Sequence, residues 1–252
     1  MIRTVLILLT MSIGSVYAYP KIDSILTNID NKYSLVTDVK ARVDLTQQKV
    51  NQGAKKLEMT YYRRDSDKSF LIIMDAPENE KGNGYLRMGD NFWMYRKNTR
   101  TFQHINRDES IGGSDAKGDD FEDRKLTEKY KPAVDASGNE IITDDTLGKI
   151  VVYKFEVAAK VNDVDYPKKI YWVRKDNYTI LKEAAYSQSG TLMQSAYYLK
   201  FTTIKGRDIA VKMLFVDEFE KGNKSVVEIS GISIDKIDDN VFTKAYLENL
   251  SK

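Results

Sequence analysis

From residue 37 to residue 234 the chain reads as short apolar runs separated by turns too tight to hold a crossover helix. Lys175-Asp176-Asn177, Gln188-Ser189-Gly190, Lys205-Gly206-Arg207 and Lys221-Gly222-Asn223 each divide two such runs. A parallel strand pair needs a connection of roughly a dozen residues or more, so strands joined this closely are antiparallel neighbours. Residues 37–64 read as a long hairpin around Asn51-Gln52-Gly53. Val39, Ala41, Val43 and Leu45 alternate with polar residues on one arm, and Leu57, Met59 and Tyr61 do so on the other. Further strands are expected over 70–74, 85–88, 92–95, 101–105, 150–158, 169–174, 179–186, 191–203, 209–216 and 225–234. That makes roughly eleven to thirteen strands in a meander with no Pro/Gly/Ser-rich linker, hence one domain.

An antiparallel sheet with one wet face alternates cleanly between apolar and polar. Phe70-Leu71-Ile72-Ile73-Met74, Phe92-Trp93-Met94-Tyr95, Ile150-Val151-Val152-Tyr153 and Ala196-Tyr197-Tyr198-Leu199 do not. Both faces of the central sheet therefore avoid water. A strongly curved sheet enclosing an apolar interior satisfies this, and that interior is either a filled barrel core or a cavity. Met59, Met74, Met88, Met94, Met193 and Met213 fall on different expected strands. Flexible thioethers suit both irregular apolar guests and ordinary cores.

Two helices flank the strands. Ile22, Ile25, Leu26, Ile29 and Tyr33 recur every three or four residues and form one stripe, opposite Asp23, Asn28, Asp30 and Lys32. This helix is read either as part of a moving lid or as a permanent core element. Residues 242–250 form the second, with Thr243 as its N-cap. Ahead of both, Met1-Ile2-Arg3, the apolar run from Val5 to Ile13 and Val16-Tyr17-Ala18 have the order of a secretory leader. Cleavage after Ala18 is expected, because the run is shorter than the ~20 residues of a membrane span. The expected domain is residues 19–252, exported to a periplasm as a soluble monomer. With no Cys in the chain there is neither a lipid-attachment site nor a disulfide, and stability must come from apolar burial.

The segment 75–121 carries a pattern. Asp75-Ala76-Pro77, Lys81-Gly82 and Tyr85-Leu86-Arg87-Met88-Gly89-Asp90-Asn91-Phe92-Trp93-Met94-Tyr95 are followed by Thr99-Arg100-Thr101 and Ile105. Gly113-Ser114-Asp115 and Asp119-Asp120-Phe121 come next. With Ile170-Tyr171-Trp172-Val173, Tyr178 to Lys182, and the closing Phe242-Thr243 with Leu247, this resembles the outer-membrane lipoprotein-sorting protein family of LolA- and LolB-like periplasmic carriers. The resemblance implies an open, bent antiparallel sheet with helices plugging its concave apolar side. It also implies a cavity that shields acyl chains of lipoproteins or other lipids between an inner-membrane exporter and an outer-membrane acceptor. Where the family has aromatic residues before the acidic pair, this chain has Ala116-Lys117-Gly118; if those aromatics close the family's cavity, closure here is looser or differently made. Cavity candidates are Met59, Tyr61, Phe70, Ile72, Met74, Phe92, Met94 and Leu199, and lid candidates are Ile22, Ile25, Leu26 and Ile29. A one-residue slip in register would exchange the two faces.

Other chemistries find little support. His104 is the one His, read as a strand-surface residue, and there is no Gly-x-Ser-x-Gly elbow for a nucleophilic Ser. Zinc lacks His and Cys ligands. The Asp115, Asp119, Asp120, Glu122, Asp123 cluster lacks the periodicity of a calcium loop and reads as a solvated loop, and Asp144-Asp145 as a turn. Gly112-Gly113-Ser114 has no Lys after it, so it is no phosphate cradle. Trp93-Met94-Tyr95-Arg96-Lys97 could stack nucleobases, but a net charge of +2 argues against nucleic acid. No cofactor or metal is expected. Beside the carrier stand two alternatives: a non-enzymatic module on the same fold that senses lipoproteins or binds an envelope partner, and a hydrolase acting on a bound lipid, which would need a polar constellation at the cavity mouth that the sequence does not offer.

Overall fold

The computed structural model describes residues 18–34, 37–106, 109, 111–113 and 125–250. Residues 1–17 of the expected leader lie outside the described residues, as do Ser114, Asp115, Asp119, Asp120 and Phe121 of the family-motif loop.

Among the described residues, fourteen strands form one antiparallel sheet that does not close. β1 (Val39–Lys49), β2 (Gly53–Arg64), β3 (Ser69–Ala76), β4 (Gly84–Met88), β5 (Asn91–Arg96) and β6 (Thr101–His104) run as a meander from the middle of the sheet to one edge. The chain resumes at the opposite edge with β7 (Tyr130–Pro132) and β8 (Ile142–Leu147), both paired with β9 (Ile150–Ala159). From there β10 (Lys168–Arg174), β11 (Ile180–Tyr186), β12 (Leu192–Ile204), β13 (Arg207–Asp217) and β14 (Lys224–Ser233) return to the centre, where β14 pairs with β1. The sheet is thus two meanders welded along one seam. In the first hairpin Lys49 pairs with Gly53, and Asn51 and Gly53 take positive φ of 65° and 78°, conformations that Asn and Gly tolerate.

The sequence reading misses β7 and β8 and takes Asp144-Asp145 for a turn. Both residues lie within β8, where Asp145 accepts the Trp172 indole N–H at 2.9 Å and Asp144 pairs with Lys175 at 2.6 Å. β8 pairs only with β9 and buries little, so it carries no apolar alternation to betray it.

Directly paired residues share a face. On the inner face Val43 lies between Met59 and Ile229, Leu45 between Leu57 and Val227, and Ile72 between Tyr61 and Tyr85. On the outer face Tyr62, Leu71, Leu86 and Trp93 are paired in turn. This resolves the doubly apolar 70–74 run: Phe70, Ile72 and Met74 point inward, while Leu71 and Ile73 lie under a C-terminal cap. The helices are therefore divided between the faces. α1 (Ile22–Tyr33) and the single turn α2 (Leu126–Lys129) pack inside. α3 (Lys244–Asn249) packs outside, its start capped as expected by the Thr243 hydroxyl accepting from the Tyr246 amide at 3.2 Å. Gly84 makes that docking possible, because a Cβ there would lie 2.6 Å from Leu247 Cδ2. Further along the outer face Trp172, Val152, Ile170 and Ala184 are buried together, roofed by Lys154 and Lys182 over the indole at 5.4 and 4.5 Å.

An ion pair ties the C-terminal segment to the first hairpin. Arg64 donates to both Asp38 carboxylate oxygens, at 3.1 and 2.9 Å, and to the Ile237 carbonyl, while the Ile237 amide donates to Asp38 Oδ2 at 2.7 Å. Burial pushes the Asp38 carboxyl up, but the hydrogen bonds from Arg64 and the Ile237 amide outweigh it and hold its pKa below the usual value. A lowered carboxylate pKa adds stability that is present above the unfolded-state pKa and lost as pH falls through the folded one. Asp38→Asn is expected to cost about 2 kcal/mol in urea denaturation at pH 7. The gap to the unaltered protein should narrow below a pH of about 4. A gap independent of pH would contradict this assignment.

Candidate functional site

The inner face is filled at both ends and hollow in the middle. At the β3–β5 end Met59, Phe70, Ile72, Met74, Tyr85 and Phe92 pack on one another, with Ile105 and Ile111 buried among them. The turn at Ile111–Gly113 is seated by two hydrogen bonds. The Gly112 amide donates to the Tyr85 hydroxyl at 2.8 Å, and its carbonyl accepts from Lys55 Nζ at 2.7 Å. Gly112 has φ +60°, and a Cβ would come within 2.9 Å of Leu57 Cδ1, so the backbone itself fills the space a side chain would need. At the other end α1 lays Ile22, Ile25, Leu26 and Ile29 on Phe155, Val157, Tyr171, Val173 and Ile180. The Asp30 carboxylate holds α2 to α1, accepting the Leu126 and Thr127 amides at 2.7 and 2.9 Å and the Thr127 hydroxyl at 2.5 Å.

Between these ends lies a cavity of about 270 Å³. Its sheet wall is Val43, Leu45, Tyr61, Met213, Phe215, Val227 and Ile229, and its helical wall is Ile29, Tyr33 and Leu126. The wall is overwhelmingly apolar because β1, β13 and β14 turn their inward residues toward a space that α1 borders but that neither α1 nor the Ile111 turn fills. Charged groups gather at the end nearest the α1 C-terminus: Lys32, Arg63, Glu183, Arg207 and Asp208, while Ser225 is a neutral polar residue elsewhere in the lining. Glu183 pairs with Lys169 at 3.2 Å, the two side chains only 6% and 11% exposed, and the Tyr198 hydroxyl donates to its other oxygen at 3.4 Å. Burial, with the Glu183 and Asp208 charges adding to it against the Ile180 amide, pushes the Tyr33 phenol up to about 12. Burial also raises the Tyr61 phenol. Both hydroxyls stay neutral at any physiological pH.

Of the eight cavity candidates only Tyr61 borders this space. Met59, Phe70, Ile72, Met74 and Phe92 are on the inner face but sealed in the filled end, each at most 2% exposed, and Met94 packs at its margin. Leu199 is a correction. β12 bulges between Tyr198, paired with Met213, and Lys200, paired with Lys212, so Leu199 has no cross-strand partner and is 55% exposed. Its neighbour Tyr198 is the one that faces the cavity. Of the lid candidates Ile29 reaches the cavity, while Ile22, Ile25 and Leu26 are fully buried behind it. Gly113 closes the Ile111 turn at the filled end, and His104 lies on β6 with its ring edge-on to Trp93. The sequence reading passes over the β13 and β14 wall and the buried Lys169–Glu183 pair. Met213 and the alternation of Val39, Ala41, Val43 and Leu45 are the signals that bear on the wall.

No curated protein sequence matches the chain. Solved structures match its fold over nearly its whole length. A LolA superfamily protein from Nitrosomonas europaea has a TM-score of 0.74 at 19% identity, over 90% of this chain and 100% of that one. A domain classed with the outer membrane lipoprotein-sorting proteins, from Vibrio parahaemolyticus, has a TM-score of 0.76 at 17% identity, over 90% and 97%. A DUF1329 family protein from Desulfovibrio piger has a TM-score of 0.76 at 18% identity, over 89% and 97%. A family model described as "Uncharacterized protein" matches residues 66–249. The chain belongs to that family, and its fold is the one seen in the LolA superfamily and the outer membrane lipoprotein-sorting domains.

Proposed function

We propose that the protein is a non-enzymatic periplasmic carrier that shields acyl chains in the cavity between α1 and the β1–β14–β13 seam, for transfer toward the outer membrane. The observation that carries this reading is the hollow itself. Apolar interiors are normally close-packed, and here a gap of about 270 Å³ is walled by Val43, Leu45, Met213, Phe215, Val227 and Ile229. The likeness in fold to lipoprotein-sorting domains agrees with it. Burying an acyl chain is worth ~0.8 kcal/mol per methylene in the carrier or in a bilayer alike. A carrier therefore works by shielding and releasing rather than by very tight binding. Among the described residues no helix is long and apolar enough to cross a membrane, which suits a protein moving between two of them. The donor and acceptor are an inner-membrane exporter and an outer-membrane partner.

Native mass spectrometry of the protein prepared from a periplasm without detergent tests this reading. A co-purifying adduct that extracts as an acyl lipid or lipoprotein is the expected result. A bare mass with no uptake of added lipid would instead favour a module that binds an envelope protein.

A further inference from the structure

The charged groups of the cavity lining gather at one end. There the last turn of α1 brings Lys32, Tyr33 and Ser34 against the start of β13, with Arg207 and Asp208, and against the start of β11. The charges at this end are not evenly matched. Asp208 is met by Lys32 at 3.6 Å, Glu183 by Lys169 at 3.2 Å, and Arg63 by Asp65 in a two-pronged pair. Arg207 donates to a neutral group, the Ser34 carbonyl, and has no carboxylate partner among the described residues. Beside it the Tyr33 hydroxyl is buried and its proton has no acceptor within reach among the described residues. A buried donor left unmatched costs free energy that an incoming acceptor recovers. A half-buried guanidinium without a counter-charge gains from an anion, which its planar fork binds in two-pronged fashion.

On the carrier reading, we propose that this end of the cavity receives the anionic oxygen-bearing head of an acyl lipid, with Arg207 and Tyr33 as its ligands and the chain lying along Met213, Val227 and Val43. The shared chemistry is a carboxylate or phosphate joined to a single long chain. Acyl groups held to a lipoprotein by ester and amide bonds bring no such charge to the site. The cargo class is therefore a free anionic lipid.

Equilibrium binding of lipids that share a sixteen-carbon chain, at concentrations below micelle formation, tests this. Palmitate and palmitoyl lysophosphatidate carry the two anionic heads, monopalmitoylglycerol is neutral and hexadecylamine is cationic. At least one anion is expected to bind about tenfold more tightly than the neutral lipid, the worth of one charge-assisted hydrogen bond. Which anion does so identifies the head as carboxylate or phosphate. Arg207→Met should bring the anion down to the affinity of monopalmitoylglycerol and leave the latter unchanged. Tyr33→Phe, which keeps the ring in place, should remove part of the preference. Equal affinity for the neutral lipid, or tighter binding of the amine, would overturn the head-group site while leaving the carrier intact. Failure of all four lipids to bind would overturn the carrier reading and this inference with it.

Discussion

Glu183→Ala should be among the most destabilising single substitutions in the protein, with an expected loss of about 3–5 kcal/mol in urea denaturation. Glu183 and Lys169 are almost wholly buried, 3.2 Å apart, on adjacent strands β11 and β10. Removing the carboxylate leaves an ammonium in an apolar interior, with the Tyr130 ring as a remaining neighbour at 5.8 Å. The pair itself adds little, because desolvating two charges offsets most of their attraction. The double variant Lys169→Met/Glu183→Leu is accordingly expected to recover most of the loss, to within about 1 kcal/mol of the unaltered protein. A single variant that unfolds at the same urea concentration as the unaltered protein would mean that water reaches Lys169. In that case the cavity would be wetter than its lining implies.

Met213→Asp and Leu199→Asp should separate the two faces of the sheet. Met213 borders the cavity, whereas Leu199 stands on a bulge and is exposed. A carboxylate at 213 bars the chain from its neighbourhood, which for about four methylenes at ~0.8 kcal/mol each is about 3 kcal/mol, or roughly a hundredfold in affinity for a fluorescent acyl probe. At 199 the same substitution should leave affinity within about twofold, because a solvated surface charge at that distance is screened. Circular dichroism checks that both variants are folded. Equal losses at the two positions, or a loss at 199 alone, would place the probe on the outer face.

Much of this architecture is legible in the sequence, for reasons that differ by element. The α1 stripe of Ile22, Ile25, Leu26 and Ile29 could be read because a helix that buries one face must repeat every three or four residues. The doubly apolar 70–74 run announced two dry faces. It could not say that Leu71 and Ile73 lie under α3, because what covers an outer face is a long-range matter. The position of the hollow was illegible for a similar reason. Phe70 and Val227 look alike as inward-facing residues, and only the Ile111 turn and α1 decide which of them is covered. The seam where β14 meets β1 joins segments nearly two hundred residues apart, and no local pattern records it. At Leu199 a bulge breaks the period-two rule for one residue and leaves the side chain exposed. β8 leaves no pattern in the sequence because a strand with little to bury is free to be polar.

The most direct test of the central claim is photo-crosslinking with a fatty acyl lipid that carries a diazirine near the middle of its chain, followed by peptide mapping. Labelled peptides are expected from β1, β13 and β14, around Val43, Met213 and Val227, with labelling suppressed by an excess of unmodified lipid. Label confined to the outer face around Trp172 and Leu199, or no competable label at all, would contradict it.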